Sequence, residues 1–160
     1  MKCRLLGLLV ASLVTTGALA QGDEPKGPQP ELPKEKLVIV THDGKQYPFN
    51  VEMATTDQQQ QTGEMFRTSI PDDGGMLFDW GKPKPTEMWM KNTLISLDMV
   101  FINQDGTIQS IAEDTVPRSL AVIDAGGPVR AALEMNAGTT AKLGIKVGDT
   151  VKQRIFGNGP

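Results

Sequence analysis

Leu37-Val38-Ile39-Val40-Thr41 is a continuous, largely β-branched run, and Gln46 to Met53 alternates imperfectly, with Tyr47, Phe49, Val51 and Met53 on one face. Asp43-Gly44 between them is a hairpin turn signal, so the two stretches predict an antiparallel pair. Thr56 to Met65 instead predicts a helix. Thr56 is placed to cap it, Gln59 completes a capping box, and Asp57 suits the first turn. That helix is almost wholly polar, with only Met65 and Phe66 at its end to dock it, so it belongs on the surface.

After the turn at Pro71-Asp72-Asp73-Gly74-Gly75 the strand pattern returns. Gly75 to Phe78 is a short strand, Trp80 to Pro85 a proline-rich extended connection, and Thr86 to Lys91 and Leu97 to Ile102 are further strands. Asn103-Gln104-Asp105-Gly106 turns the chain into Thr107 to Glu113, and the Gly126-Gly127-Pro128 break leads to a strand from Val129 to Met135. Thr139 to Leu143 predicts a short helix with Gly144 as its left-handed cap, and Thr150 to Phe156 a last strand. Seven or eight short strands and two short helices predict a mainly β, compact single domain, a barrel or a sandwich. A parallel α/β fold would need longer crossover helices.

The flanking segments are of another kind. Residues 1–20 read as an export leader: Lys2 and Arg4 precede the apolar run Leu5 to Val14, and Ala18-Leu19-Ala20 is a small-x-small cleavage pattern. That run is shorter than the roughly 20 residues of a spanning helix, although a retained leader would act as a tether. The expected location is the periplasm or the outside of the cell. Residues 21–36, with Pro25, Pro28, Pro30 and Pro33, read as a solvated linker, and the globular domain is expected over 37–156. Cys3 is the only cysteine and lies in the leader, so the processed chain is expected to have neither disulfide nor thiol nucleophile. The formal net charge is −3, and loss of Lys2 and Arg4 would take it to −5. This mild acidity argues against nucleic acid or anionic lipid as partner.

Four motifs occur in order: Gly63-Glu64-Met65-Phe66-Arg67; Gly75-Met76-Leu77-Phe78; Trp89-Met90-Lys91-Asn92-Thr93 with Leu97-Asp98; and Leu133-Glu134 through Ala137-Gly138 to Leu143-Gly144-Ile145-Lys146-Val147-Gly148-Asp149. With them the chain resembles the domain-of-unknown-function-192 family of small bacterial and archaeal proteins, often exported or membrane-anchored. The resemblance spans about Val38 to Val151 and implies a compact β-rich domain and no established reaction. It also marks two departures: Glu64 stands where leucine is usual, implying a weaker helix dock, and Met88 where an aromatic is usual.

The candidate chemistry centres on Asp98, an acid inside an apolar strand. A buried charge must be paired or well hydrogen-bonded. If Thr86–Lys91 and Leu97–Ile102 pair around the Asn92–Ser96 connection, Lys91 comes close to Asp98, with Arg67 and Arg130 as other possible partners. The preferred reading is a structural lock, Asp98 accepting N–H groups of the 92–96 loop with Lys91 neutralising it. The functional reading is a polar pocket of Trp89, Lys91, Asn92 and Asp98, flanked by Arg67 and Glu134, for a sugar or a small anion.

Two other chemistries are conceivable. Asp98 and Glu134 could form a carboxylate pair for glycoside cleavage by an envelope enzyme. Met88 and Met90, sharing a strand face, could bind Cu(I) with His42. Zinc is disfavoured, with one histidine and no cysteine beyond the leader, and no motif marks a nucleophile or a phosphate loop. The expectation is therefore an exported monomer without metal or cofactor, binding a small polar ligand or an envelope protein partner without catalysis.

Overall fold

The computed structural model describes residues 24–159; the leader expected over 1–20 lies outside the described residues. Seven strands build one sheet: β1 (Lys34–Val40), β2 (Gln46–Ala54), β3 (Met76–Met88), β4 (Leu97–Ile102), β5 (Ile108–Ala112), β6 (Ile123–Asn136) and β7 (Thr150–Lys152). Their order is β5-β4-β6-β3-β2-β1-β7, antiparallel except for β2 against β3. The two edges then meet. Thr107 bridges Thr150, Ile108 N donates to Asp149 O at 2.9 Å, and Val151 N to Gly106 O at 2.7 Å. The result is a nearly closed barrel, which leaves little edge unpaired.

Alternation along the strands creates two apolar layers. Leu37, Ile39, Phe49, Val51, Leu77, Val100, Ile102, Leu133 and Val151 fill the inside of the barrel. Leu97, Met99, Phe101 and Ala132 face outward, under Ile70 and Met90 from the long connections. Strand β4 and the Val129–Met135 half of β6 are therefore buried on both faces, which explains their largely apolar sequence.

Several elements follow the sequence expectations closely. The β1–β2 hairpin turns at Gly44, whose φ is 81°, and α2 (Thr139–Leu143) ends at Gly144 with φ 71°. Helix α1 (Asp57–Thr62) carries the Thr56–Gln59 capping box, and Gln60 Nε2 ties it to the sheet through Ala54 O and Asp79 O.

Three expectations are corrected. Helix α1 stops at Thr62 rather than Met65, because Gly63 leaves the helix with φ 48° and ψ −133°. The 75–78 strand, the proline-rich connection and the 86–91 strand are one long bent strand, β3, ending at Met88. Its prolines fall where the pairing with β6 slips, and Pro85 stands opposite Pro128. The last strand stops at Lys152, since Gln153 caps a 3₁₀ turn over Arg154–Phe156 by accepting Ile155 N at 2.8 Å, and Phe156 folds into the core.

The segment read as a solvated linker also makes contacts. Gln29 Nε2 donates to Gly63 O at 2.9 Å, Leu32 N to Glu52 Oε2 at 2.7 Å, and β1 already begins at Lys34.

Candidate functional site

Asp98 is fully buried, and the structure shows what shields it. Its Oδ1 accepts Asp114 N and Gly138 N, both at 3.1 Å, while Oδ2 accepts Thr140 N at 2.9 Å and Thr140 Oγ1 at 2.7 Å. The carboxylate thus ties β4 to the turn entering α2 and to the end of β5. This is a lock, made with different donors from those expected.

The expected hairpin between 86–91 and 97–102 does not form, because β6 lies between β3 and β4. The three candidate cations go elsewhere: Lys91 pairs with Glu24, Arg130 with Asp79, and Arg67 with Glu52 and Glu64. Asp98 stands opposite Met135 in the β4–β6 register, so Glu134, one residue before, projects from the other face of the sheet. The Asp98–Glu134 carboxylate pair is therefore geometrically excluded.

Glu134 belongs to a different place. It stands opposite Met76 on the outer face of the barrel, beneath the turn that follows α1. Gly63 makes that turn fit: a Cβ there would lie 3.0 Å from Phe78 Cζ and 3.7 Å from Glu134 Oε2. Gly63→Ala should therefore cost about 1–3 kcal/mol, from the forced backbone conformation and the ring contact. Urea unfolding of the variant beside the parent measures it.

Next to Gly63, Glu64 turns its side chain inward, and the two glutamates are 2% and 5% exposed. They lie at the floor of a cleft of about 400 Å³. Phe78, Trp80 and Trp89 supply aromatic wall, Met65 and Met88 thioethers, and Lys84, Glu87 and Asp57 stand on the rim.

The electrostatics of this floor are unbalanced. Arg67 grips Glu52 with two nitrogens at 2.5 and 2.8 Å, and its Nε lies 3.2 Å from Glu64 Oε2 without hydrogen-bond geometry. Both oxygens of Glu64 and Oε2 of Glu134 are buried without a hydrogen-bond partner among the described residues. One guanidinium faces three carboxyls. Burial raises the Glu64 pKa to about 7, against the pull of Arg67 and with a push from Glu52. Burial and the neighbouring Glu64 charge raise Glu134 to about 8. Burial would raise Glu52 too, but the Arg67 bonds and the Leu32 N–H hold it below the usual carboxylate range. Glu52 is thus committed to structure, while Glu64 and Glu134 are not.

Of the residues named from sequence, the structure brings Trp89 and Glu134 to this cleft, with Arg67 behind its floor. Trp89 is 49% exposed and carries the Lys91 ammonium 5.5 Å from its ring centroid. Asn92 serves the backbone. It adopts φ 57°, a region Asn tolerates, its carbonyl accepts Phe66 N at 2.9 Å, and its amide reaches Met65 Sδ.

The proposed copper ligands are dispersed. Met88 lines the cleft, Met90 is buried in the outer apolar layer, and His42 is exposed on a turn held by Asp149, which accepts His42 N at 2.8 Å. Reasoning from sequence missed Glu64, Glu52 and Trp80 as neighbours of Glu134. Glu64 did carry a signal, as an acid between a glycine and two apolar residues.

The nearly closed seven-stranded sheet, its two short helices and the outer cleft define a class: a small, mainly β single domain. Within that class the chain belongs to the DUF192 family, described as an uncharacterized ACR, whose family model matches residues 38–153. No curated protein matches the chain. Similar solved structures include the following two. One, from Sinorhizobium meliloti 1021, is described provisionally as a transcription regulator. It is 42% identical over 79% of this chain and 98% of its own, with a TM-score of 0.77. The other, a protein of unknown function from Novosphingobium aromaticivorans DSM 12444, is 36% identical over 86% of this chain and 99% of its own, with a TM-score of 0.75.

Proposed function

We propose that this domain is exported and binds a small polar ligand in the cleft between Trp80 and Trp89, as a monomer and without catalysing a reaction. One observation carries the reading: Glu64 and Glu134 line a concave site with aromatic walls, and the fold leaves both buried oxygens of Glu64 and Oε2 of Glu134 unpaired among the described residues. Buried polar groups are satisfied in folded proteins, so a group left over in a cleft is one that a ligand can complete.

Binding is preferred to turnover because both glutamates sit under the same Gly63 turn, whereas glycoside cleavage needs its acids on either side of the bond. An acid surplus at the floor disfavours the anionic half of the ligand classes expected from sequence. The formal charge of −3 supplies no basic footprint for nucleic acid. Export rests on the leader pattern of residues 1–20.

Trp89 tests the site at little cost to the fold, because half of it is in solvent. Trp89→Ala should weaken any ligand found by a thermal-shift screen at least tenfold while leaving the unfolding midpoint of the free protein within about 2 °C. Titration of Trp fluorescence measures the affinity. Unchanged affinity in both Trp89→Ala and Glu134→Gln would sink the reading.

A second reading, a protein partner, is favoured by a separate observation. Val116, Leu120 and Val122 are exposed on the connection between β5 and β6, and that connection reaches the Trp89 segment where Met90 N donates to Ser119 O.

A further inference from the structure

The unpaired oxygens also define what kind of ligand can complete them. We infer that the cleft takes an organic cation, a protonated amine on an alkyl or small ring body, whose nitrogen sits between Glu64 and Glu134. The inference rests on the ligand-binding reading above and names the chemical class for that site.

Three features carry it. First, the floor is short of positive charge. Glu52, Glu64 and Glu134 share Arg67, and Arg67 is already held in a two-point bond by Glu52. A cation entering from the cleft supplies the missing charge, whereas a neutral polyol leaves two like carboxyls facing each other. An anion adds to the surplus.

Second, both glutamates line the cleft and are nine-tenths buried or better, so a ligand seated there meets them with little water between. An ammonium or guanidinium brings several N–H donors to these acceptors, and such bonds are the stronger kind.

Third, the walls suit an organic rather than a bare inorganic ion. A space of about 400 Å³ exceeds what one metal ion needs, and it is lined by Phe78, Trp80, Trp89, Met65 and Met88. Among the described residues no group of three or more His, Cys, Asp or Glu side chains could enclose a metal. The rings already show their preference: the Lys84 ammonium lies 5.3 Å from the Trp80 centroid, and that of Lys91 5.5 Å from Trp89. Tryptophan faces that hold ammonium groups of the chain itself would hold one from a ligand.

The charged groups facing the glutamates are Arg67 and Glu52 from behind and Lys84, Glu87 and Asp57 from the rim. Because the two acids resist ionisation in the free protein, cation binding must expel protons. Affinity should therefore rise with pH while the amine itself stays protonated.

The test is isothermal titration of the purified protein with 1,5-diaminopentane, n-butylammonium, glucose, succinate and calcium chloride, each at pH 6.0 and pH 8.5. The expected result is binding of the amines, at least tenfold tighter at pH 8.5, with proton release visible as heat that changes with the buffer. Glu134→Gln and Glu64→Gln, each removing one charge and keeping the shape, should weaken the amines at least tenfold and flatten the pH dependence. Glucose binding without amine binding would overturn the cation and leave the ligand-binding cleft standing. Calcium without amines would overturn the organic cation alone. Amine binding that ignores pH and both variants would place it on surface acids and overturn the inference. Silence from every probe would overturn the cation, and the general reading would then fall or stand on its own Trp89 test.

Discussion

Asp98→Asn should lower the stability of the domain by about 3–5 kcal/mol, measured as a reduced urea midpoint at an unchanged slope. The estimate follows from the four donors that converge on this carboxylate: the N–H groups of Asp114, Gly138 and Thr140 and the Thr140 hydroxyl. An asparagine amide keeps the shape, but it replaces one acceptor oxygen with a donor. At least one buried N–H then faces another N–H, and the remaining bonds lose their charge assistance. The variant that does fold should keep whatever ligand affinity the parent has, because Asp98 and Glu134 project from opposite faces of the sheet. A large loss of affinity in a folded Asp98→Asn protein would show that the barrel end and the outer cleft communicate.

That separation between lock and cleft was only half visible in the sequence. The burial of Asp98 could be read from Leu97 and Met99 on either side, and the Thr56–Gln59 box and the Thr139–Gly144 helix could be read because their signals are local. The partners of Asp98 could not. They come from Asp114, Gly138 and Thr140, and the intervening position of β6 depends on pairing between residues far apart in the chain, from Ile102 with Ala131 to Met76 with Glu134. Local reasoning paired the nearest two strands instead.

Prolines misled in a similar way. Pro83 and Pro85 read as a break between strands, yet they sit at slips of one bent strand, where a missing N–H costs no ladder bond. Glu64 stands out in the sequence only as an acid where leucine is usual, and its place at the end of a polar helix conceals that it is buried beside Glu134. Its burial is created by Gly63, which ends the helix and turns the next side chain inward. Trp80 was hidden within the same proline-rich stretch.

Between pH 5 and pH 8 the protein should become less stable as the pH rises, and removal of the two cleft glutamates should abolish most of that loss. The sign follows from the direction of the shifts. Glu64 and Glu134 have folded pKa values of about 7 and about 8, above the ordinary carboxylate value of 4.5. In that interval the folded chain binds more protons than the unfolded chain, so unfolding releases protons and is favoured by their scarcity. The stability these groups permit is fully present below about pH 4.5. It is lost as pH rises, through about 7 for Glu64 and about 8 for Glu134, at up to about 1.4 kcal/mol per pH unit for each group. The acids with depressed values, Glu35, Asp43, Glu52 and Asp105, act the other way, and their contribution is lost only as the pH falls through their lowered values. The interval from pH 5 to pH 8 therefore isolates the cleft. Urea midpoints at pH 5.0, 6.5 and 8.0 should fall steadily for the parent and stay nearly level for Glu64→Gln/Glu134→Gln. At pH 8.0 the double variant should be the more stable by about 3 kcal/mol or more, since an uncharged amide at each position no longer meets a like charge out of water. A cost of this size to the fold is one that the proposed cation would offset on binding. A flat parent profile would mean that the two carboxyls are hydrated, and the cleft would lose the strain that invites a cation.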